Sequence, residues 1–330
     1  MKITNNKSQI TRKFQYRKCK VRNGSWNLGF GILVLFVIWC LGFGVCASAQ
    51  QAGQDIAVLK AGVGARALGM GSAFTAVADN ADAPYWNPAG LATVKKNEIT
   101  TMQTKLSTDA DHYYISYVRP AFGGTLGISW IQVGMGTITQ TSTEVDPNNE
   151  VIDLGIFSYF SNAYMLSYGR EVSDRLSVGL TAKYLTSNMF QISGGQASGY
   201  TVTPGLLMKF PNNWRLGLKI DELINSQQWG TGTVEQVPPK LRLGLAYVRS
   251  NPGLFAVDVS QVLRDGYAVA ASVGYEWVRD GLSLRLGYGG SGLTAGAGFE
   301  SGHTRLDYAY VTQTDLSRDN VHRVSLSGQW

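Results

Sequence analysis

The chain has 330 residues, 44% hydrophobic and 16% charged, with a formal net charge of +6. Eight of its 29 basic residues (Lys2, Lys7, Arg12, Lys13, Arg17, Lys18, Lys20 and Arg22) stand in the first 49 positions, which hold no acid. The remaining 21 basic and 23 acidic residues net to −2, so the basic pI gives no argument for nucleic acid. All three cysteines, Cys19, Cys40 and Cys46, lie in the same stretch, so the rest of the chain has no disulfide, Cys metal site or Cys nucleophile.

Residues 1–49 read as an export signal. A basic region precedes an apolar run from about Leu28 to Val45, and Ala47-Ser48-Ala49 supplies the small residues of a cleavage site, with Gln50 as the expected mature start. A retained transmembrane anchor is the alternative, since the run is nearly long enough to span. Phe43-Gly44-Val45 is a poor lipobox, which argues against a lipid anchor on Cys46. No later segment has the roughly 18 uncharged apolar residues of a spanning helix.

Residues 50–96 form a segment of their own, rich in Ala and Gly, without strand alternation. Short helices are expected at Asp55–Lys60 and Ala73–Ala78. Asn87-Pro88 is a helix start, with Asn87 as N-cap and Pro88 at the first helical position, where its missing N–H costs nothing.

From residue 97 to 330 the pattern becomes a series of strands. They centre on Ile99–Lys105, Tyr113–Arg119, Thr125–Val133, Tyr164–Arg170, Leu176–Tyr184, Tyr200–Lys209 and Trp214–Ile220. The later ones are Leu241–Arg249, Leu254–Val262, Tyr267–Trp277, Leu282–Tyr288, Leu293–Phe299, Thr304–Thr312 and Val321–Trp330. Alternation is clear in many: Leu282, Leu284, Leu286 and Tyr288 oppose Ser283, Arg285 and Gly287. A soluble β-sandwich alternates too, but its polar face carries more charge than these Gly, Ser, Ala and Thr positions. Tight turns rich in Pro, Asn, Asp and Gly mostly alternate with longer connections such as Gly134–Ala163, Thr186–Gly199 and Asp221–Lys240. That rhythm, with Tyr and Trp near strand ends, fits an all-β transmembrane antiparallel barrel of about 14 strands whose outer face meets outer-membrane lipid. A barrel of that size is too wide for its own side chains to fill, so residues 50–96 are expected to plug the lumen.

The last strand ends the chain on an aromatic, Trp330, with Val324, Leu326 and Gly328 on its face. This resembles bacterial outer-membrane barrels, whose terminal aromatic is a signal to the barrel-assembly machinery. The run Gly69-Met70-Gly71-Ser72-Ala73-Phe74, followed by Asn87-Pro88-Ala89-Gly90-Leu91, resembles the PorV/PorQ family within the FadL-like superfamily. The resemblance implies a fourteen-stranded, plugged barrel in the outer membrane, with Gly69, Gly71, Phe74, Asn87, Pro88 and Gly90 as the plug motif. It further implies either a type IX-like secretion component that binds exported proteins, or a FadL-like transporter of hydrophobic molecules such as long-chain fatty acids. The secretion component is the reading favoured by the sequence.

Eight charges fall on the predicted inner face: Arg215, Lys219, Arg242, Asp258, Glu276, Arg285, Arg305 and Asp307. They are expected to pair with one another and with the plug, or to guide a solute. No catalytic constellation stands out, so the protein is not read as an enzyme, and no cofactor is implied. Asp111-His112 is the nearest approach to a catalytic dyad and lacks a nucleophile motif. The acidic run Glu144–Glu150 with Asp153 has oxygen ligands for Ca²⁺ but lacks EF-hand spacing, and a solvated loop is the favoured reading.

Overall fold

A computed structural model describes residues 56–330 apart from 107–109, 146–147, 249–252, 265, 291 and 313–319. The expected signal segment and its cleavage site lie outside the described residues.

Sixteen strands form one antiparallel sheet among the described residues. β1 (Glu98–Lys105), β2 (Asp111–Ala121), β3 (Gly124–Val145), β4 (Val151–Ser173), β5 (Leu176–Phe190), β6 (Gln196–Lys209) and β7 (Trp214–Asp221) make one half of the wall. β8 (Ile224–Trp229) and β9 (Val234–Glu235) form a side hairpin. β10 (Lys240–Val248), β11 (Gly253–Val262), β12 (Ala270–Arg279), β13 (Leu282–Gly289), β14 (Gly292–Ser301), β15 (Thr304–Val311) and β16 (Val321–Gln329) complete it. β16 pairs with β1 from Glu98↔Gln329 to Gln103↔Val324, and β5 pairs with β6, so the sheet closes on itself. With the β8–β9 hairpin set aside, the ring is a closed barrel of fourteen strands. All fourteen predicted strands are present.

The turns follow from their residues. Phe122-Gly123 joins β2 to β3 and Asp280-Gly281 joins β12 to β13, each pair at positive φ (54° and 72°, 51° and 80°). Two successive left-handed residues give the turn whose twist matches that of the flanking strands.

The period-two alternation sorts side chains between the two faces of the wall. On β13, Leu284 and Leu286 are 49% and 66% exposed, whereas Arg285 is 2% exposed. Leu180, Leu206, Leu293, Leu306, Val324 and Leu326 are likewise exposed outside. Water would penalise so much outward apolar surface, whereas lipid suits it. The buried core is inside the ring, where residues of the plug meet the inner faces of the strands.

Four expectations need correction. Thr186–Gly199 is mostly strand: β5 runs to Phe190 and β6 starts at Gln196, so residues 191–195 alone connect them. Gly134–Ala163 is mostly not a loop: β3 runs to Val145 and β4 starts at Val151, so the connection is a long hairpin. Thr137, Ile138, Thr139 and Thr141 favour strand through β-branching, and their polarity disguised them as loop. The Asp221–Lys240 connection likewise contains the β8–β9 hairpin, with β8 paired to the upper part of β6. Residues Ala73–Ala78 form turns instead of a helix, because Ser72 sits at φ 68° and the Phe74 and Thr75 amides are bonded to Asp258 of the wall.

Candidate functional site: the plugged lumen

The plug is a chain of short elements: α1 (Ala57–Lys60), α2 (Ala65–Gly69), α3 (Ala83–Trp86) and a 3₁₀ helix, Pro88–Thr93. Small residues let its backbone lie directly against strands. A Cβ on Gly69 would sit 3.2 Å from Gly296 Cα, and one on Gly71 would sit 2.7 Å from the Tyr288 backbone. Gly71 is also at φ +65°, where glycine carries no steric cost. Thr294 Oγ1 accepts from the Gly71 amide at 2.9 Å and donates to Gly69 O at 3.0 Å, which stitches this turn to β14.

Asn87 acts as the predicted cap and does more. Its Oδ1 accepts from the Ala89 amide at 3.1 Å, and its Nδ2 donates to Thr75 O at 2.8 Å and to Leu206 O of β6 at 3.0 Å. Pro88 holds the first helical position. Gly90 presses on the Ala78 backbone with no room for a Cβ. Phe74 is fully buried, edge-on to Trp86 at 6.1 Å and beneath the Arg66 guanidinium at 5.4 Å. The six plug-motif residues therefore all lie in the plug's contact with itself or with the wall.

Two ionic clusters, with wall residues on β5, β7, β10, β12, β13 and β15, hold the plug. In the first, Arg66 donates to Glu276 at 2.9 Å and 2.7 Å and to Asp79 at 2.5 Å. Glu276 also accepts from Arg285 Nε at 2.7 Å. Arg285 and Asp307 are paired by charge at 2.8 Å, although their geometry falls short of a hydrogen bond, and Arg305 completes the chain at 2.8 Å from Asp307. In the second, Lys219 and Arg242 share Asp221 at 2.5 Å and 2.6 Å, and Lys183 meets Glu222 at 2.5 Å. Lys219 also donates to Tyr85 O of the plug. Asp258 stands apart and accepts the Phe74 and Thr75 amides at 3.0 Å and 2.9 Å. Arg215 points inward too, with a buried Nη1 that lacks a hydrogen-bond partner among the described residues.

The sequence reading missed Arg66, Asp79, Lys183, Asp221, Glu222 and Arg323. Lys183 and Arg323 carry the same signal as the eight charges that were read, since each stands opposite an apolar face. Arg323 donates to Ala61 O at 2.9 Å. Arg66, alone among small residues, signals only that a buried charge needs a partner. Glu222 follows the break between β7 and β8, at φ 56°, and gives no sequence signal. His112 is buried and Asp111 exposed on successive residues of β2, so the two point to opposite faces and form no dyad. Among the described residues no three His, Cys, Asp or Glu side chains gather to hold a metal.

Within the plug, burial pushes the Asp82 carboxyl up to about 6, against the pull of its 2.9 Å hydrogen bond from Asn80.

The plug's other end is held differently. α1 packs on β3 and β4. Ile56 and Val58 belong to the same buried apolar cluster as Ile131, Val133, Ala163 and Leu185 on the inner faces of β3–β5. The ion pairs therefore engage the plug from Arg66 onward, whereas α1 meets the wall through apolar side chains.

At the opposite rim, Trp330 stacks on Tyr117 at 6.1 Å, and its backbone exchanges hydrogen bonds of 3.0 Å and 3.1 Å with Asn97.

No family model matches the chain, and no curated protein matches it in sequence. Solved structures do resemble it in fold. The toluene transporter TodX of P. putida matches with a TM-score of 0.59 at 16% identity, over 82% of this chain and 99% of that one. The toluene transporter TbuX of Ralstonia pickettii gives 0.59 at 14%, over 82% and 98%. A Pseudomonas aeruginosa FadL homologue gives 0.50 at 11%, over 79% and 96%. The chain shares the barrel fold of these structures.

Proposed function

We propose that the protein is an outer-membrane passage for hydrophobic small molecules, of the FadL-like kind, and not primarily a secretion component. The observation that carries this reading is the split character of the plug's contacts. Ion pairs anchor the plug from Arg66 onward, whereas α1 meets β3 and β4 through an apolar seam that a hydrophobic solute could enter by replacing like with like. The ion pairs keep the rest of the plug in place while the seam opens. The solved structures of similar fold, two of them named as toluene transporters, support the same reading. Hydrogen exchange on the purified barrel tests it: saturating toluene or oleate should raise exchange at residues 56–64 and leave residues 83–94 protected. Unchanged exchange at 56–64 would count against entry along this seam.

A secretion-associated role of PorV/PorQ type keeps one point of support. The β3–β4 hairpin projects past the closed ring with Ile152, Leu154 and Ile156 exposed, as a surface for an exported protein would. Crosslinking from Leu154 in cells should then trap a secreted partner, and a clean barrel would remove this second reading.

A further inference from the structure

The outer surface of β3–β6 changes character abruptly along one line. Trp130, Tyr164, Tyr184 and Tyr200 pair across adjacent strands as a continuous aromatic row. The next outward-facing row toward the β3–β4 hairpin consists of Gln132, Asn162, Thr186, Ser198 and, through β8, Gln228. Such a step from aromatic to polar marks a membrane–water boundary.

Each side of this line has a depression. Below it, a cavity of about 670 Å³ is lined by outward aromatic and aliphatic groups that include Tyr117, Ile128, Tyr164 and Leu166. Above it, a cavity of about 740 Å³ is lined by the amides of Gln132, Asn162, Asn188 and Gln228 together with the rings of Phe160, Phe190 and Trp229. No charged side chain lines the upper one. Part of the amide row is already oriented: Asn162 Oδ1 accepts from Trp130 Nε1 at 3.2 Å and from Gln132 Nε2 at 3.0 Å. Phe160 and Phe190 fix each other edge-on at 6.0 Å, and Trp229 is held by Glu235 at 3.1 Å. The side-chain amides of Asn188, Gln196 and Gln228 have no hydrogen-bond partner among the described residues.

Rigid rings beside unpaired, neutral amides suit a ligand with apolar ring faces and many hydroxyls. Each amide offers both a donor and an acceptor to a hydroxyl, and aromatic faces cover the C–H faces of a sugar ring. The absence of lysine and arginine argues against a phosphate headgroup, which would seek them. The longer connections of such barrels face the cell exterior, which puts the end with the β3–β4 hairpin on that side. We propose that the upper depression binds the uncharged sugar units of an outer-leaflet glycolipid, whose acyl chains lie over the apolar depression below. This inference rests on the outer-membrane placement and not on transport.

The test uses the mature barrel in phosphatidylcholine nanodiscs, with native mass spectrometry counting retained lipid. Diglucosyl diacylglycerol should be retained in preference to diacylglycerol. The double substitution Asn188→Ala with Gln228→Ala should weaken retention about tenfold or more, at about fivefold per lost hydrogen bond. Phe190→Ala, which changes no polar group, should also weaken it, and heat-modifiable gel mobility verifies that each variant is folded. Three results would overturn the proposal: equal retention by wild type and variants, diacylglycerol retained as well as the glycolipid, or free disaccharide bound as tightly as the lipid-linked form. Toluene uptake by the same variants should be normal, and cell fractionation reports on outer-membrane placement separately.

Discussion

Arg66, in a run of small residues, and Glu276, on β12 210 positions later, meet through two guanidinium nitrogens at 2.9 Å and 2.7 Å, both side chains almost fully buried. Neither charge tolerates this setting without the other. A buried pair is weak evidence for net stability, but removing one partner strands the other. Glu276→Gln would leave Arg66 and Arg285 sharing one acceptor fewer. The expected cost to plug docking is about 3–5 kcal/mol, read as a lower urea midpoint for protease access to residues 61–64. Arg279→Ala, on the same strand but exposed, should change nothing.

Asp258 fixes the turn that replaced an expected helix. Asp258→Ala orphans the Thr75 amide inside the barrel, at about 1–3 kcal/mol, and leaves the Phe74 amide only its 3.1 Å bond to Ser72 O. Residues 72–78 should then gain hydrogen exchange while β10–β12 keep theirs.

Asp82 supplies a pH dependence with a definite sign. Its folded carboxyl titrates near 6, above its ordinary 3.8, so the docked plug holds a proton that the released plug gives up. The contribution of this carboxyl to docking is therefore full below about pH 4 and is lost as pH rises through the window from about 4 to 6. The shift corresponds to about 3 kcal/mol. Asp82→Asn should raise the urea midpoint of plug release at pH 7 more than at pH 4. A difference between variant and wild type that does not grow between pH 4 and 6 would contradict the assignment.

Trp330 is held by hydrogen bonds to Asn97, the residue before β1, and by the Tyr117 ring of β2. Deleting Trp330 should reduce folded barrel in the membrane severalfold, measured as the heat-modifiable band, while a Trp330→Phe variant should recover most of it.

The wall was legible because alternation is a local signal. Leu284, Arg285 and Leu286 declare their faces without knowledge of any other strand, and Asp280-Gly281 declares its turn. The plug's cap was equally local: Asn87-Pro88 needs only its neighbours. The ionic clusters were half legible. Arg285 and Asp307 stand out on their strands, yet nothing near Arg66 or Glu222 names a partner 210 or 39 positions away. The β3–β4 hairpin is not legible locally, because both strands continue in polar residues beyond the length that crosses a membrane. The preference for a secretion component over a transporter rested on the Gly69–Gly71 and Asn87–Gly90 runs, which report how a plug packs and carry no information on what passes it.

The transport reading is tested most directly by the initial rate of radiolabelled toluene uptake. It should be measured in cells with an intact outer membrane, with and without the protein, at matched levels of folded barrel. The account predicts faster uptake with the protein, and a return toward the empty-cell rate when bulky substitution of Ala163 on β4, such as Ala163→Trp, fills the seam beside α1. Equal rates with and without the protein would contradict it.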